Sequence, residues 1–448
     1  MENKNSMLEG SLFDKIFFFA MPLAASSILQ QLFNAADSAV VGRFAGSAAL
    51  AAVGANASVI SLFVNSLVGL SIGANVVVAQ YIGANHLNKI KDAIETIITF
   101  AIIQGICVTI IGLFAAGFIL NAIGTPSDVM PLAQIYLRIY LMGVPFISLF
   151  NFGSAILRSS GDTKRPMYCL IMAGVLNILL NLLLVIVFQL SVIGVAVATV
   201  SSNIVSSLMI IYMLMKEKGM LHLDIRHLHI VKEPLMQMVK TGVPAALQSM
   251  VFSISNISIQ SGVNSFGSNA IAGNTAANNF EFFDYYMVNA FNQAAVTFVG
   301  QNFAAKKYDR VKKIFKICMI EGLIGILSME AMFYLGRNTF IRLFTTQEAV
   351  IEYAMIRVAC CVLPHFLMCS YEITGSVLRG MGYSTLPALL TVIGSVGFRV
   401  LWLFTVFQVF HSYTALLLVY PASWIFTGTM VVTAYMIISK KVLRIEKA

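Results

Sequence analysis

About twelve apolar stretches, each near the ~20 residues that a helix needs to cross a ~30 Å hydrocarbon core, follow one another along this chain. They fall at 12–40, 49–76, 94–117, 132–154, 166–187, 191–214, 238–261, 274–300, 314–336, 350–376, 385–407 and 412–438. Inside a bilayer no water satisfies the backbone, so stretches of this kind become helices that bond within themselves. The rest of the composition agrees: 58% of the residues are hydrophobic and 11% charged, against about 25% charged in a soluble domain. The first stretch, from Leu12 onward, exceeds a signal-peptide core and is expected to stay as an anchor. The expected class is an all-α integral membrane protein.

A net charge of +9 raises the question of an acidic partner, and the placement of the charges answers it. With a cytoplasmic N-terminus, the even-numbered loops and both tails lie inside. Those segments and their edges hold every Lys and Arg except Arg43, Arg138, Arg337, Arg342, Arg357 and Arg399. This is the positive-inside asymmetry. It puts both termini in the cytoplasm of a multi-pass cell-membrane protein and removes the need for a nucleic-acid partner. The six cysteines form no CxxC pair, which leaves them as small packing residues rather than a zinc site or disulfide framework.

The chain is also duplicated. ILRSSGDTKRP at 156–166 resembles VLRGMGYSTLP at 377–387, an offset of 221. The same offset relates VAQYIGANHLNKIK at 78–91 to VGQNFAAKKYDRVK at 299–312, and SAALAAVGANA at 47–57 to SNAIAGNTAAN at 268–278. The only long polar connector lies between the copies, giving an amino-terminal bundle 1–215, a cytoplasmic linker 216–234 and a carboxy-terminal bundle 235–448. Its His222, His227 and His229 could bind a metal, but no acidic or Cys partner completes a site, so the linker reads as a solvated amphipathic segment. Six helices per copy start both halves on the same side, related by an axis along the membrane normal, an arrangement suited to alternating access. Pro22, Pro145, Pro244 and Pro364 fall within spans, where each removes a helical hydrogen bond and permits a kink.

Buried charge supplies the candidate sites, because a carboxylate at membrane depth costs at least ~2.5–3.5 kcal/mol on insertion scales. Asp37 in the first span has no Lys or Arg within a helical turn, which suits proton or sodium coupling. Asn177 and Asn181 share a face of the fifth span at i, i+4, and Thr199 lies in the sixth. These are cation ligands or interhelical hydrogen-bond partners, and spacing alone does not choose between the two. Glu281 and Asp284 sit among Phe280, Phe282, Phe283, Tyr285 and Tyr286, either facing an organic cation or lying in an interfacial aromatic belt. Glu372 and Arg399 are further buried charges that can pair, with Glu321 and Glu330 in the ninth span. Arg138 and Arg357 near outer span ends read as snorkelling side chains.

Taken together, MPLAASSILQQLFNAADSAVVGRFAG, SAALAAVGANA, LRSSGDTKRP, VGQNFAAKKYDRVKK, LRGMGYSTLPAL, FRVLWLF and YPASW resemble the multidrug and toxic compound extrusion (MATE) family across about 11–440. The resemblance implies twelve transmembrane helices in two pseudo-symmetric six-helix bundles forming a V-shaped cavity. It implies a monomeric secondary antiporter exporting amphipathic, often cationic, organic compounds in exchange for Na⁺ or H⁺, with no cofactor and no enzymatic step. The family's amino-terminal cation site maps onto Asp37, Asn177, Asn181 and Thr199, with Na⁺ held at Asp37, Asn177 and Asn181 if Na⁺ is the ion. Glu281, Asp284, Glu372, Arg399, Tyr285 and Phe283 are the substrate-cavity candidates. The chain departs from some members in carrying Asn181 where they have a second acid. It departs again in a seventh span whose polar residues are Gln248, Asn256 and Gln260. The rival readings are a lipid-linked glycan flippase, which calls for an Arg-rich cavity where only Arg399 lies at depth, and an intramembrane enzyme, for which no HExxH, paired-Asp or Ser/His motif is present. A channel would call for a uniform selectivity ring, which two differently charged halves do not suggest.

Overall fold

Every regular element is a helix among the described residues, as expected where the backbone must satisfy its own polar groups. The computed structural model describes residues 7–342 and 345–442, with the backbone alone at 38, 39, 47, 48, 50, 58 and 254. Both chain ends, whose cytoplasmic placement the charge pattern leads one to expect, lie outside the described residues.

The first copy contains α1 (Phe13–Val40), α2 (Ser47–Gly83), α3 (Leu87–Ala122), α4 (Met130–Met142), α5 (Val144–Ser159), α6 (Lys164–Asn181) and α7 (Ser191–Lys216). π-Helical turns at Val41–Ala45 and Leu182–Val187 extend α1 and α6. α4 and α5 are two limbs of one span bent by 44°, with Pro145 in the first turn of α5, where its missing N–H costs nothing. The second copy contains α8 (Lys232–Asn264), α9 (Ser268–Ala304), α10 (Tyr308–Arg342), α11 (Glu348–Arg357), α12 (Cys369–Gly380), α13 (Thr385–Thr391), α14 (Phe398–Phe404), α15 (Val406–Val409), α16 (Tyr413–Leu417) and α17 (Val419–Val442). α11–α12, α13–α15 and α16–α17 are interrupted spans, so the twelve expected stretches are all helical. Nine spans are apolar enough to cross a bilayer unaided among the described residues, and α4–α5 makes a tenth. α9 and α10, which are not among these, carry Glu281, Asp284, Glu321 and Glu330, all buried in the protein.

The repeat is written into the backbone as well as the sequence. Left-handed residues recur at matched places in the two copies: Gly46 and Gly267, Asn85 and Lys306, Gly161 and Gly382. Each pair closes the same loop of its copy, at the spacing of the sequence repeat.

The chain divides into two compact units, Ala25–Gly242 and Met1–Ala24 with Val243–Ala448. Both divisions fall in the first helix of a copy, beside Pro22 in α1 and Pro244 in α8. Thus Leu12, Ile16, Phe19, Ala20 and Ala24 of α1 belong to the core built by α9, α10, α12 and α17. In return, Met238 of α8 belongs to the core of α2, α3 and α5.

The 216–234 linker is docked on its unit rather than freely solvated, and two of its histidines meet acids there. His229 Nδ1 lies 2.8 Å from Glu95 of α3 and Nε2 lies 3.6 Å from Asp92, while His227 Nδ1 meets Asp224 at 2.7 Å. The hydroxyl of Thr96 accepts from the Val231 amide at 3.0 Å. The backbone carbonyl of His227, with Glu95 beyond it, holds the His229 imidazole above its ordinary pKa. The His227 hydrogen bond holds Asp224 below the usual carboxylate value. No three of these groups are arranged to hold a metal among the described residues. The partners of His229 and Val231 on α3 lie more than 130 residues away in sequence, where local spacing carries no sign of them.

Candidate functional site

In the first unit, α6 and α1 approach closely at Gly174. A Cβ there would stand 1.9 Å from the Phe33 ring, so only glycine permits the contact. Gly174, Asn177 and Asn181 share one face of α6, and Phe33 and Asp37 stand one turn apart on α1. The contact at Gly174 and Phe33 therefore sets Asp37 against the two amides. Asn181 Nδ2 donates to Asp37 Oδ1. With its amide turned to satisfy its neighbours, Asn177 donates to Asp37 Oδ1 at 2.7 Å and to Oδ2 at 3.2 Å. Thr199 of α7 lies 3.5 Å from Asn177 and bonds its own helix at Val195.

All four expected residues of the first site are thus together. No Lys or Arg pairs with Asp37 among the described residues. The oxygen Asn181 Oδ1 is buried without a hydrogen-bond partner, an arrangement that is costly unless something else binds there. A carboxylate, an orphaned amide oxygen and a hydroxyl fit a small cation or a proton. The π-helical turns that follow Asp37 and Asn181 widen both helices here, as often happens at functional sites. Filling the contact by Gly174→Val should cost about 1–3 kcal/mol and slow ion-driven efflux more than it lowers the melting point. A variant with normal efflux would show that this approach does not position Asp37.

The second unit arranges its charges differently from the sequence expectation. Arg357 is not a snorkelling residue; it is 3% exposed and forks onto Glu281, Nε to Oε1 at 2.7 Å and Nη2 to Oε2 at 2.9 Å. Asn274 of α9 accepts from Nη1 and Asn278 from Nη2. α11 can come this near to α9 because Gly273 would otherwise place a Cβ 2.6 Å from the Val350 carbonyl. Glu372 and Arg399 do not pair. Glu372 accepts from Asn292 at 2.9 Å, while Arg399 donates to Asn256 at 3.1 Å and Ser423 at 3.2 Å and lies over Phe252 and Tyr420. They bond to different helices, α9 for one and α8 and α17 for the other.

Arg399 is not alone at depth either. Arg379 is buried too, and donates to Gln248 at 2.6 Å. The amides of α8 thus accept from buried arginines where an acid was looked for. The aromatic run of α9 splits by helical face: Phe280 and Phe283 pack on Phe333, whereas Phe282 and Tyr285 are exposed. Asp284 is fully buried, and Glu321 has both carboxylate oxygens buried without partners.

The MatE family profile matches the chain twice, over residues 22–183 and 244–405, one match in each copy. The probable multidrug resistance protein YoeA of Bacillus subtilis (strain 168) is 28% identical over 445 residues, covering 96% of this chain and 95% of its own. The multidrug export protein MepA of Staphylococcus aureus (strain NCTC 8325 / PS 47) is 25% identical over 344 residues, 77% of this chain and 76% of its own. A solved outward-facing conformation of a multidrug resistance MATE family transporter of the MOP superfamily is similar over the full length of both chains. Its TM-score is 0.90 at 22% identity, a likeness of fold.

Proposed function

This chain belongs to the MatE family, and from that premise we propose that it is a multidrug efflux transporter working as a secondary antiporter. It exports amphipathic organic cations by alternating access in exchange for Na⁺ or H⁺, as a monomer in the cell membrane with both termini cytoplasmic. One observation carries the ion-coupled reading: Asp37 has no basic partner among the described residues and faces Asn177 and Asn181, of which Asn181 keeps an orphaned oxygen. A carboxylate in that setting is stabilised by taking a cation or a proton and destabilised by losing it. Its occupancy therefore follows the ion concentration on the side to which it opens. Substrate contacts fall to the exposed face of α9 at Tyr285, with Phe283 behind it, where an aromatic surface accepts a lipophilic cation. Glu281 is neutralised by Arg357, and the buried arginines all donate to protein acceptors. Both features support an organic cation over the diphosphate of a lipid-linked glycan.

The test is efflux of dye-like cations from proteoliposomes carrying Na⁺ and H⁺ gradients imposed separately. One of the two gradients should drive efflux and its collapse should stop it. Folded protein that exports no dye under either gradient would overturn the reading.

A further inference from the structure

The linker leaves α7 at Lys216 and enters α8 at Lys232, and its two halves are seated by different means. Near α7 the Leu223 amide donates to the Leu214 carbonyl at 3.1 Å, and Leu221 and Leu223 are buried in the core of α2, α3 and α5. Nearer α8 the seat is polar and centres on His229. The His227 carbonyl and Glu95 Oε2 each lie 2.8 Å from its Nδ1, and Asp92 Oδ1 lies 3.6 Å from its Nε2. All three are acceptors. A neutral imidazole carries one N–H, which serves the Nδ1 side and leaves a lone pair on Nε2 turned toward a carboxylate. Only the imidazolium donates on both sides. Glu95 is 1% exposed and its Oε1 has no hydrogen-bond partner, so a neutral ring would leave a buried charge poorly matched.

We propose that His229 is a pH-sensitive latch, which holds the 225–231 stretch on α3 as an imidazolium and releases it as a neutral ring, so that export answers to the pH on the linker's side of the membrane. The other charges at this seat have partners of their own. Glu233 of α8 meets Lys89 of α3 at 2.7 Å, Asp224 meets His227 within the linker at 2.7 Å, and Lys91 of α3 lies 3.9 Å from Glu95 Oε1. The ring is half-exposed, so its proton comes from water and returns there. The His227 carbonyl, then Glu95 and Asp92, raise its pKa above the ordinary 6.5. A value raised by docking gives a latch that is complete below about pH 6.5 and is lost as the pH climbs through the docked value. The segment leading into α1, which belongs to the other unit, is held differently. Lys307 donates to the Leu8 carbonyl at 3.0 Å, Arg310 to those of Met7 and Gly10 at 3.1 and 3.2 Å, and Asn302 to that of Met7 at 3.2 Å. No histidine takes part in these bonds, and histidine is the side chain whose ordinary pKa lies between pH 5 and 8. Of the two segments that lead into a copy, one is therefore fixed and the other is switched. The latch rests on geometry; its part in export rests on the reading above.

Amide exchange followed by mass spectrometry on the full chain in lipid nanodiscs is the test. The Val231 amide, held by Thr96 at 3.0 Å, and its neighbours in 225–231 report the docked state. Corrected for the chemical pH dependence of exchange, their protection should fall about threefold or more between about pH 6 and about pH 9, as a docking shift of about half a pKa unit requires. His229→Gln should be unprotected at both ends of the range, and the permanently charged His229→Arg protected at both. Wild-type protection that does not change with pH, or a loss that persists in His229→Gln, would overturn the proposal. Exchange of α3 shows whether a variant is folded. Should either fail, Glu95→Gln carries the test: it should move the wild-type transition to lower pH, and an unmoved transition would overturn the latch. Export is read as the ratio of wild-type to His229→Arg dye efflux at matched pH on both sides, which cancels the driving force. That ratio should change by a similar factor over the same range, and a constant ratio would overturn the control of export. No dye efflux from either protein, with the latch still opening, would sink the export reading instead.

Discussion

Asp37→Asn should reduce ion-driven efflux to the leak of protein-free vesicles while the protein stays folded. The amide has nearly the shape of the carboxylate and still offers an oxygen to Asn181, so the packing of α1 on α6 survives. It cannot bind a proton at accessible pH and holds Na⁺ without a charge, so the cycle has no ion to exchange. Stability should not fall. The carboxylate costs ~2.5–3.5 kcal/mol at depth, and no cation is present among the described residues to offset it. The variant should melt at or above the wild-type temperature in detergent. Gradient-driven dye efflux and thermal unfolding measure the two halves of this claim. Near-normal efflux would remove Asp37 from the ion path, and a collapsed melting point would make it a structural residue.

This pairing of lost transport with intact stability was legible in the sequence because its ingredients are local. Asp37 stands out against an apolar background, and Asn177 with Asn181 declares a helix face by spacing alone. What the sequence did not mark was Gly174, an unremarkable glycine in an apolar run until Phe33 is seen across from it. The spans were legible for the same reason as Asp37, since hydropathy is a local quantity. The second unit was less so. Arg357 read as a snorkelling residue because its partner Glu281 lies 76 residues away, and a buried pair looks like two separate charges in sequence. Glu281 in turn read as a substrate ligand.

The Arg357 pairing leads to the other large effect. Arg357→Ala should destabilise the protein by about 3–5 kcal/mol, the range for removing one partner of a buried pair and leaving the other charge uncompensated. Glu281 would be left in the interior without its guanidinium, and Asn274 and Asn278 would lose the donors they now accept from. Replacing both members by apolar residues, Arg357→Met with Glu281→Leu, removes both charges and should return most of the stability, since such exchanges are often neutral or stabilising by ~1–4 kcal/mol. Unfolding in detergent of the two single variants and the pair gives the coupling directly. Arg357→Ala with wild-type stability would mean that the pair is not closed in the folded protein. The double variant also decides what Glu281 is for. If its charge serves only Arg357, the stable double variant should export dye at near the wild-type rate; if it fails to export while melting normally, Glu281 belongs to the substrate path and Arg357 holds it ready there.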